Sequence, residues 1–222
     1  MGDASVLIIE DHDLLAQSLV FALQAEGVEA STVRPETRDQ VLQCAADTRP
    51  TVVLLDLELG GEIGSSVPLI EPLEALGAQV MMVTGVTDRV RLAECLEAGA
   101  TGLINKSTPF DQLVEAVREV AELGTLIPPQ QRHELMGELR RQRAADRARM
   151  EPFERLTQRE QQVLHGLIDG KSAEKIAEDA FVSLATVRSQ IRAILLKLDV
   201  NSQLSAVALA RQAGWNPGSV QR

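Results

Sequence analysis

The sequence predicts an α/β domain with a doubly wound parallel sheet, then a linker segment and a small all-helical domain. Three observations carry this. Across residues 1–127, short apolar runs alternate with helix-like segments five times. The runs are nearly continuous in apolar residues, as in parallel strands buried on both faces. Past Pro128-Pro129 only helical patterns follow, several of them opened by Ser or Thr.

The elements follow in order. Val6-Leu7-Ile8-Ile9 is a strand ending at Glu10-Asp11, and Asp13 to Glu26 has helical spacing up to Gly27. Glu29 to Val33 is a weaker strand, followed by a helix over about Glu36 to Ala46. Thr51-Val52-Val53-Leu54-Leu55 runs into Asp56, and Val67 to Leu76 is helical. Val80-Met81-Met82-Val83 ends at Thr84, with a helix from Asp88 to Ala98. Thr101 to Asn105 is a short strand ending at Lys106, and Pro109 starts a helix that reaches about Leu123.

In a parallel sheet of this kind, ligands sit at the carboxyl ends of the strands. Those ends carry Glu10, Asp11, Asp56, Thr84 and Lys106. Three carboxylates gathered at one edge repel one another unless a cation is present. Oxygen-only ligation suits a hard ion, and Mg²⁺ is the natural one. An Asp carboxylate beside Mg²⁺ can attack a phosphoryl group. Lys106 then offers a point charge to the phosphoryl oxygens, Thr84 a hydroxyl donor, and Gly85 leaves space. His12 follows the acidic pair but reads as no ligand; His133 and His165 read as surface or packing residues.

Residues 128–152 are polar and hold Arg140, Arg141, Arg143, Arg147 and Arg149. A linker helix and a flexible linker both fit this composition, and the arginines read as solvated surface. From about residue 153, Thr157 and Glu160 form a capping box, and Ser172, Ser183 and Ser202 open further helices. The helix from Leu184 to about Leu198 puts Val187, Ile191, Ile194, Leu195 and Leu198 on one face, which is core. Ala185, Arg188, Ser189 and Arg192 lie on the opposite arc. A helix over about Ala173 to Asp179 precedes it through Ala180-Phe181-Val182, which is helix-turn-helix spacing. The second helix of such a pair enters the major groove of double-stranded DNA. Its arginines can read guanine or bind phosphate, and both remain open. Trp215 is expected to pack on this small domain.

Charge divides along the same line. Residues 1–127 hold 7 Lys+Arg against 21 Asp+Glu, and residues 128–222 hold 15 against 11. The first part repels DNA and the second can approach it. No apolar run nears the roughly 20 residues of a membrane span, and no signal-peptide pattern opens the chain, so a cytoplasmic protein without membrane contact is expected. Cys44 and Cys95 read as buried thiols rather than a disulfide.

These motifs together resemble a known architecture. Residues 5–124 are similar to a receiver domain: Glu10-Asp11 after strand one, Asp56 in Leu-Leu-Asp-Leu-Glu-Leu, Thr84 in Val-Thr-Gly, and Lys106 in Asn-Lys-Ser-Thr-Pro. The resemblance implies a five-stranded sheet of order 2-1-3-4-5, with Asp56 as phosphoacceptor. It also implies Mg²⁺ on Asp11, Asp56 and the backbone carbonyl of Glu58, with Glu10 acting through a water. Two positions depart from the family. Leu103 replaces the usual Tyr or Phe three residues before the Lys, and Gly60 replaces the usual Pro four residues after the Asp.

Residues 156–211 resemble the LuxR-type helix-turn-helix, a four-helix domain, at Leu-Thr-Gln-Arg-Glu (156–160), Ile-Ala-Glu (176–178), Val-Ser-Leu-Ala-Thr-Val-Arg (182–188) and Leu-Leu-Lys-Leu-Asp-Val (195–200). Thr186, Arg188, Ser189, Gln190 and Arg192 are the candidate DNA contacts; Gln190 lies near the core stripe and could instead be structural. Where the family often has Lys and His, this chain has Arg188 and Gln190.

The whole resembles a NarL/FixJ-type response regulator, with domains at 1–127 and 153–222 joined by 128–152. It implies a sensor histidine kinase as donor, a homodimer when active, and no enzyme activity. One alternative is a regulator of this architecture that works without phosphate, which Leu103 keeps open. Another is a Mg²⁺-dependent phosphatase using an Asp nucleophile. That chemistry wants a second Asp two residues on, where this chain has Glu58.

Overall fold

A computed structural model describes residues 5–216. The chain divides into two compact units between Arg140 and Arg141. In the first unit β1 (Ser5–Ile9), β2 (Glu29–Val33), β3 (Val52–Leu55), β6 (Gln79–Thr84) and β7 (Gly102–Asn105) form one parallel sheet of order β2-β1-β3-β6-β7. Two further strands, β4 (Glu58–Leu59) and β5 (Gly64–Ser65), make only a small antiparallel hairpin. Leaving that hairpin aside, the sheet order is the expected 2-1-3-4-5.

The near-continuous apolar runs have a simple cause. Alternate residues of each strand feed opposite layers. Leu7, Ile9, Val53, Leu55, Val80 and Met82 meet α2 (Arg38–Thr48), α3 (Val67–Ala75) and α4 (Arg89–Glu97). Val6, Ile8, Val52, Leu54, Met81 and Val83 meet α1 (Asp13–Ala25) and α5 (Phe110–Leu123). A strand buried on both faces shows no polar alternation.

Several boundaries differ from the sequence expectation for identifiable reasons. Helix α2 begins at Arg38 because Thr37 is its cap, accepting a hydrogen bond from the Gln40 N–H. Asp88 likewise caps α4 instead of joining it, and Pro109 takes the N-cap position of α5. The hairpin was not anticipated. Its loop spans Gly60 to Ile63, and Gly61 and Gly64 sit at φ 65° and 63°, where a side chain is disfavoured. Cys95 is buried and Cys44 only half-buried, which corrects the reading of both as buried; neither forms a disulfide. Burial pushes the Cys95 thiol up to about 11.

Residues Pro129–Glu154 form one helix, α6, of 26 residues. Leu135 and Leu139 of this helix are buried in the α4-side core of the first unit. In the second unit Met150 and Phe153 join a separate core with α7 (Gln158–Ile168), α8 (Ala173–Asp179), α9 (Leu184–Lys197) and α10 (Gln203–Ala213). Thr157, Ser172, Ser183 and Ser202 each cap the helix that follows, accepting from the backbone N–H three residues on. Trp215 is buried and stacks on Phe153, with ring centroids 5.6 Å apart.

Glu160 closes the capping box on Thr157 and accepts a 2.7 Å hydrogen bond from Lys197. Burial raises its carboxyl, but the bonds from Lys197 and Thr157 outweigh burial and hold it below the usual value. A carboxyl lowered by folding stabilises above its unfolded range, and that support is lost as pH falls through the lowered value. Glu160→Gln is therefore expected to cost about 1–2 kcal/mol at neutral pH and to flatten the acid limb of thermal stability. Melting curves from pH 7 downward test this; an unchanged acid limb would remove the assignment.

Candidate functional site

The sheet register brings the strand-end residues together. Ile9 pairs with Leu55, so Glu10 and Asp56 leave the sheet side by side. Thr84 pairs with Asn105, which puts Lys106 just beyond it. Glu10, Asp56 and Thr84 are all buried. Lys106 Nζ bridges the pair, donating to Glu10 Oε2 at 2.7 Å and Asp56 Oδ2 at 2.9 Å.

The electrostatics follow from this sharing. Burial raises the Asp56 carboxyl above its ordinary value, more than the Lys106 hydrogen bond lowers it. For Lys106 the balance reverses: burial lowers the ammonium, but two carboxylates outweigh it and hold the charge. Asp11 is opposed by burial, yet ends below the usual range, helped by the Gly60 N–H, which donates to its Oδ2 at 2.9 Å. The Thr84 hydroxyl accepts from the Val86 N–H at 3.1 Å and keeps its own proton available. Glu58 lies in β4, with its N–H directed to the Asp56 carboxylate and its side chain paired with Arg91.

His12, which follows the acidic pair and was read as no ligand, stands in the cluster itself: its Nδ1 lies 2.8 Å from Glu10 Oε1 and 2.8 Å from Asp11 Oδ1. Those contacts, led by the hydrogen bond to Glu10, raise its pKa. Arg91 reaches Glu58 from α4, and nothing local in the sequence announces a pair 33 residues apart.

Glu10, Asp11, His12 and Asp56 offer ligand atoms all within 4.8 Å of one another. Asp11 Oδ1 is buried, and the His12 ring faces it at 2.8 Å as an ion-pair contact without hydrogen-bond geometry. A buried carboxylate oxygen that accepts no well-formed hydrogen bond, in a cluster of carboxylates, is what a hard divalent cation would satisfy. The donor set fits such an ion.

In the second unit the expected recognition helix is α9. Val187, Ile191 and Ile194 are buried, and Arg188, Ser189 and Arg192 are exposed on the other side. Arg188 donates to Glu174 of α8 at 3.4 Å. Thr186 is exposed and Gln190 half-buried; both line a groove of about 580 Å³ bordered by Arg159, Gln162 and Lys171. The five expected contacts therefore occupy two adjoining strips of α9. Phe181, in the turn before α9, has φ 53° and is almost fully exposed.

Comparison with known proteins agrees with both halves. Residues 6–118 match the response regulator receiver domain, and residues 154–210 match the bacterial regulatory proteins of the luxR family. The chain is 26% identical over 211 residues to the transcriptional regulatory protein DesR of Bacillus subtilis, covering 95% of this chain and 98% of that protein. It is 30% identical over 209 residues to the nitrate/nitrite response regulator protein NarP of Escherichia coli, covering 93% and 94%. Its fold is similar to that of the two-component response regulator RcsB in a DNA complex, with TM-score 0.51, 19% identity and coverage of 95% and 98%. A receiver sheet with an acidic edge, followed on one chain by a luxR-family helical unit, makes this protein a member of the two-component response regulators that regulate transcription.

Proposed function

We propose that phosphoryl transfer from a sensor histidine kinase to Asp56 switches this regulator's binding to double-stranded DNA. The observation that carries the reading is Asp56 buried at the end of β3, with Lys106 2.9 Å away and Glu10 beside it. One Asp56 oxygen attacks phosphorus; the bond from phosphorus to the donor histidine breaks as the new O–P bond forms. Lys106 transfers its hydrogen bond to a phosphoryl oxygen, and the Thr84 hydroxyl donates to another. Mg²⁺, held by Asp11, Asp56 and the Glu58 carbonyl with Glu10 behind a water, would neutralise charge as the phosphoryl group arrives. Receiver residues 1–127, linker 128–152 and DNA-binding residues 153–222 divide the work, with Thr186, Arg188, Ser189, Gln190 and Arg192 facing DNA.

Paired half-sites call for a homodimer. Leu14, Phe21 and Phe110 are exposed on α1 and α5 and supply an apolar face suited to a second copy. Among the described residues no helix is long and apolar enough to cross a membrane, which accords with action at DNA in the cytoplasm.

The Mg²⁺ assignment has its own test. Asp11→Ala is expected to weaken Mg²⁺ binding at least about tenfold by calorimetry, because it removes one of the carboxylates that would hold the ion. Equal affinity in both proteins rejects the site. The whole reading is tested by mapping genomic binding sites with the wild-type protein and Asp56→Asn. Phosphate-driven switching predicts that most sites are lost in the variant. Unchanged occupancy would favour the phosphate-independent regulator, for which Leu103, half-buried and without a polar tip, is the specific observation.

A further inference from the structure

Helix α4 is held by two arginines that point in different directions. Residues two apart on a helix do not share a face. Arg91 pairs with Glu58, two residues past Asp56. Arg89 reaches the other way, and its Nε meets both carboxylate oxygens of Glu138 on α6, at 2.9 and 2.8 Å. At the far end of α4, an Arg132 guanidinium N–H donates to the Leu96 carbonyl at 3.1 Å. The start of α4 therefore meets the later residue of α6 and its end the earlier one, so the two helices run antiparallel. Leu135 and Leu139 are buried alongside, in the same cluster as Ala93 and Leu96.

A phosphoryl group on Asp56 replaces the single negative charge of the carboxylate with the about −1.5 to −2 charges of a phosphate, and places them farther out from β3. It arrives beside Glu58 as a like charge competing for Arg91. Leu103 has no hydroxyl with which to change partners, whereas Arg91 and Arg89 are held on α4 by ion pairs that can exchange. We infer that Arg91 and Arg89 make α4 a phosphate-sensitive clasp on α6. With Asp56 bare, Arg91 stays on Glu58 and Arg89 holds Glu138. With Asp56 loaded, Arg91 turns toward the new anion, the first turn of α4 shifts, and Arg89 is drawn off Glu138. The first half of α6 then loosens. Since α6 continues to Glu154 and contributes Phe153 to the DNA-binding core, loosening it changes the restraint on that unit. This inference rests on Asp56 being the phosphoacceptor.

The test measures hydrogen exchange of the amides of residues 132–139 in the full chain with Mg²⁺, with and without beryllofluoride. Mass spectrometry after acetyl phosphate treatment checks separately that Asp56 loads. Loading is expected to speed exchange over 132–139 on the order of tenfold. Arg89→Ala should exchange fast without loading, and Arg89→Glu combined with Glu138→Arg should restore slow exchange. Arg91→Ala should keep slow basal exchange and lose most of the response. Equal exchange with and without beryllofluoride, in a protein whose Asp56 takes phosphate, overturns the clasp and leaves the phosphoacceptor reading standing. A protein that takes no phosphate overturns that reading, and the clasp with it.

Discussion

Asp56→Asn is expected to abolish covalent phosphate uptake from a small phosphodonor in the presence of Mg²⁺. The amide keeps the size of the side chain but has no anionic oxygen to attack phosphorus. The loss should not reflect unfolding. Burial already disfavours the Asp56 charge, and Glu10 repels it, so the neutral amide relieves a strain that folding imposes. The variant should melt no lower than the wild type at neutral pH. Because the carboxyl is raised, uptake by the wild type should fall off on acidification at a higher pH than an ordinary aspartate would show. Intact-protein mass after donor treatment reads the first point, and a pH series reads the second. Label that persists undiminished in Asp56→Asn would overturn the assignment.

Alanine in place of Arg188 or Arg192 is expected to give the largest losses in DNA binding. The two lie four residues apart, exposed on α9 opposite Val187 and Ile191. Arg188 must leave Glu174 to reach DNA, but that pair is exposed and about 60% of each side chain is open, so little holds it back. An arginine that reads a base should cost about 1–3 kcal/mol on the preferred site when removed, and relax specificity there. One that contacts phosphate should weaken binding to every sequence and flatten the salt dependence by about one unit of slope. Titrating the full-length variants against specific and random duplexes at several salt concentrations separates the two roles. Wild-type binding by both variants everywhere would mean that α9 is not the recognition helix.

The parts of this structure that were legible from sequence are those with local or periodic causes. Strand ends showed as the places where an apolar run meets a charge, and the sheet gathered Glu10, Asp11, Asp56 and Lys106 as that pattern implied. The four Ser and Thr caps were legible because a cap is a rule about three consecutive residues after it. The β4–β5 hairpin was not, since two-residue strands carry no period. Nor were Arg89–Glu138 and Arg91–Glu58, surface partners 49 and 33 residues apart. Leu135 and Leu139 were a missed signal. An apolar i, i+4 pair inside an otherwise polar helix was there to be seen, and both side chains are buried.

Gly60 shows how the departures from the family constrain one another. Its N–H is a donor to Asp11 Oδ2, and a Cβ built on it would stand 3.0 Å from that same oxygen. A proline there has no N–H to give and brings a ring to the place where the carboxylate lies. Restoring the family's proline alone therefore removes a support of Asp11 before anything replaces it. Gly60 and Asp11 are thus coupled, and a change at one is expected to alter what the other tolerates.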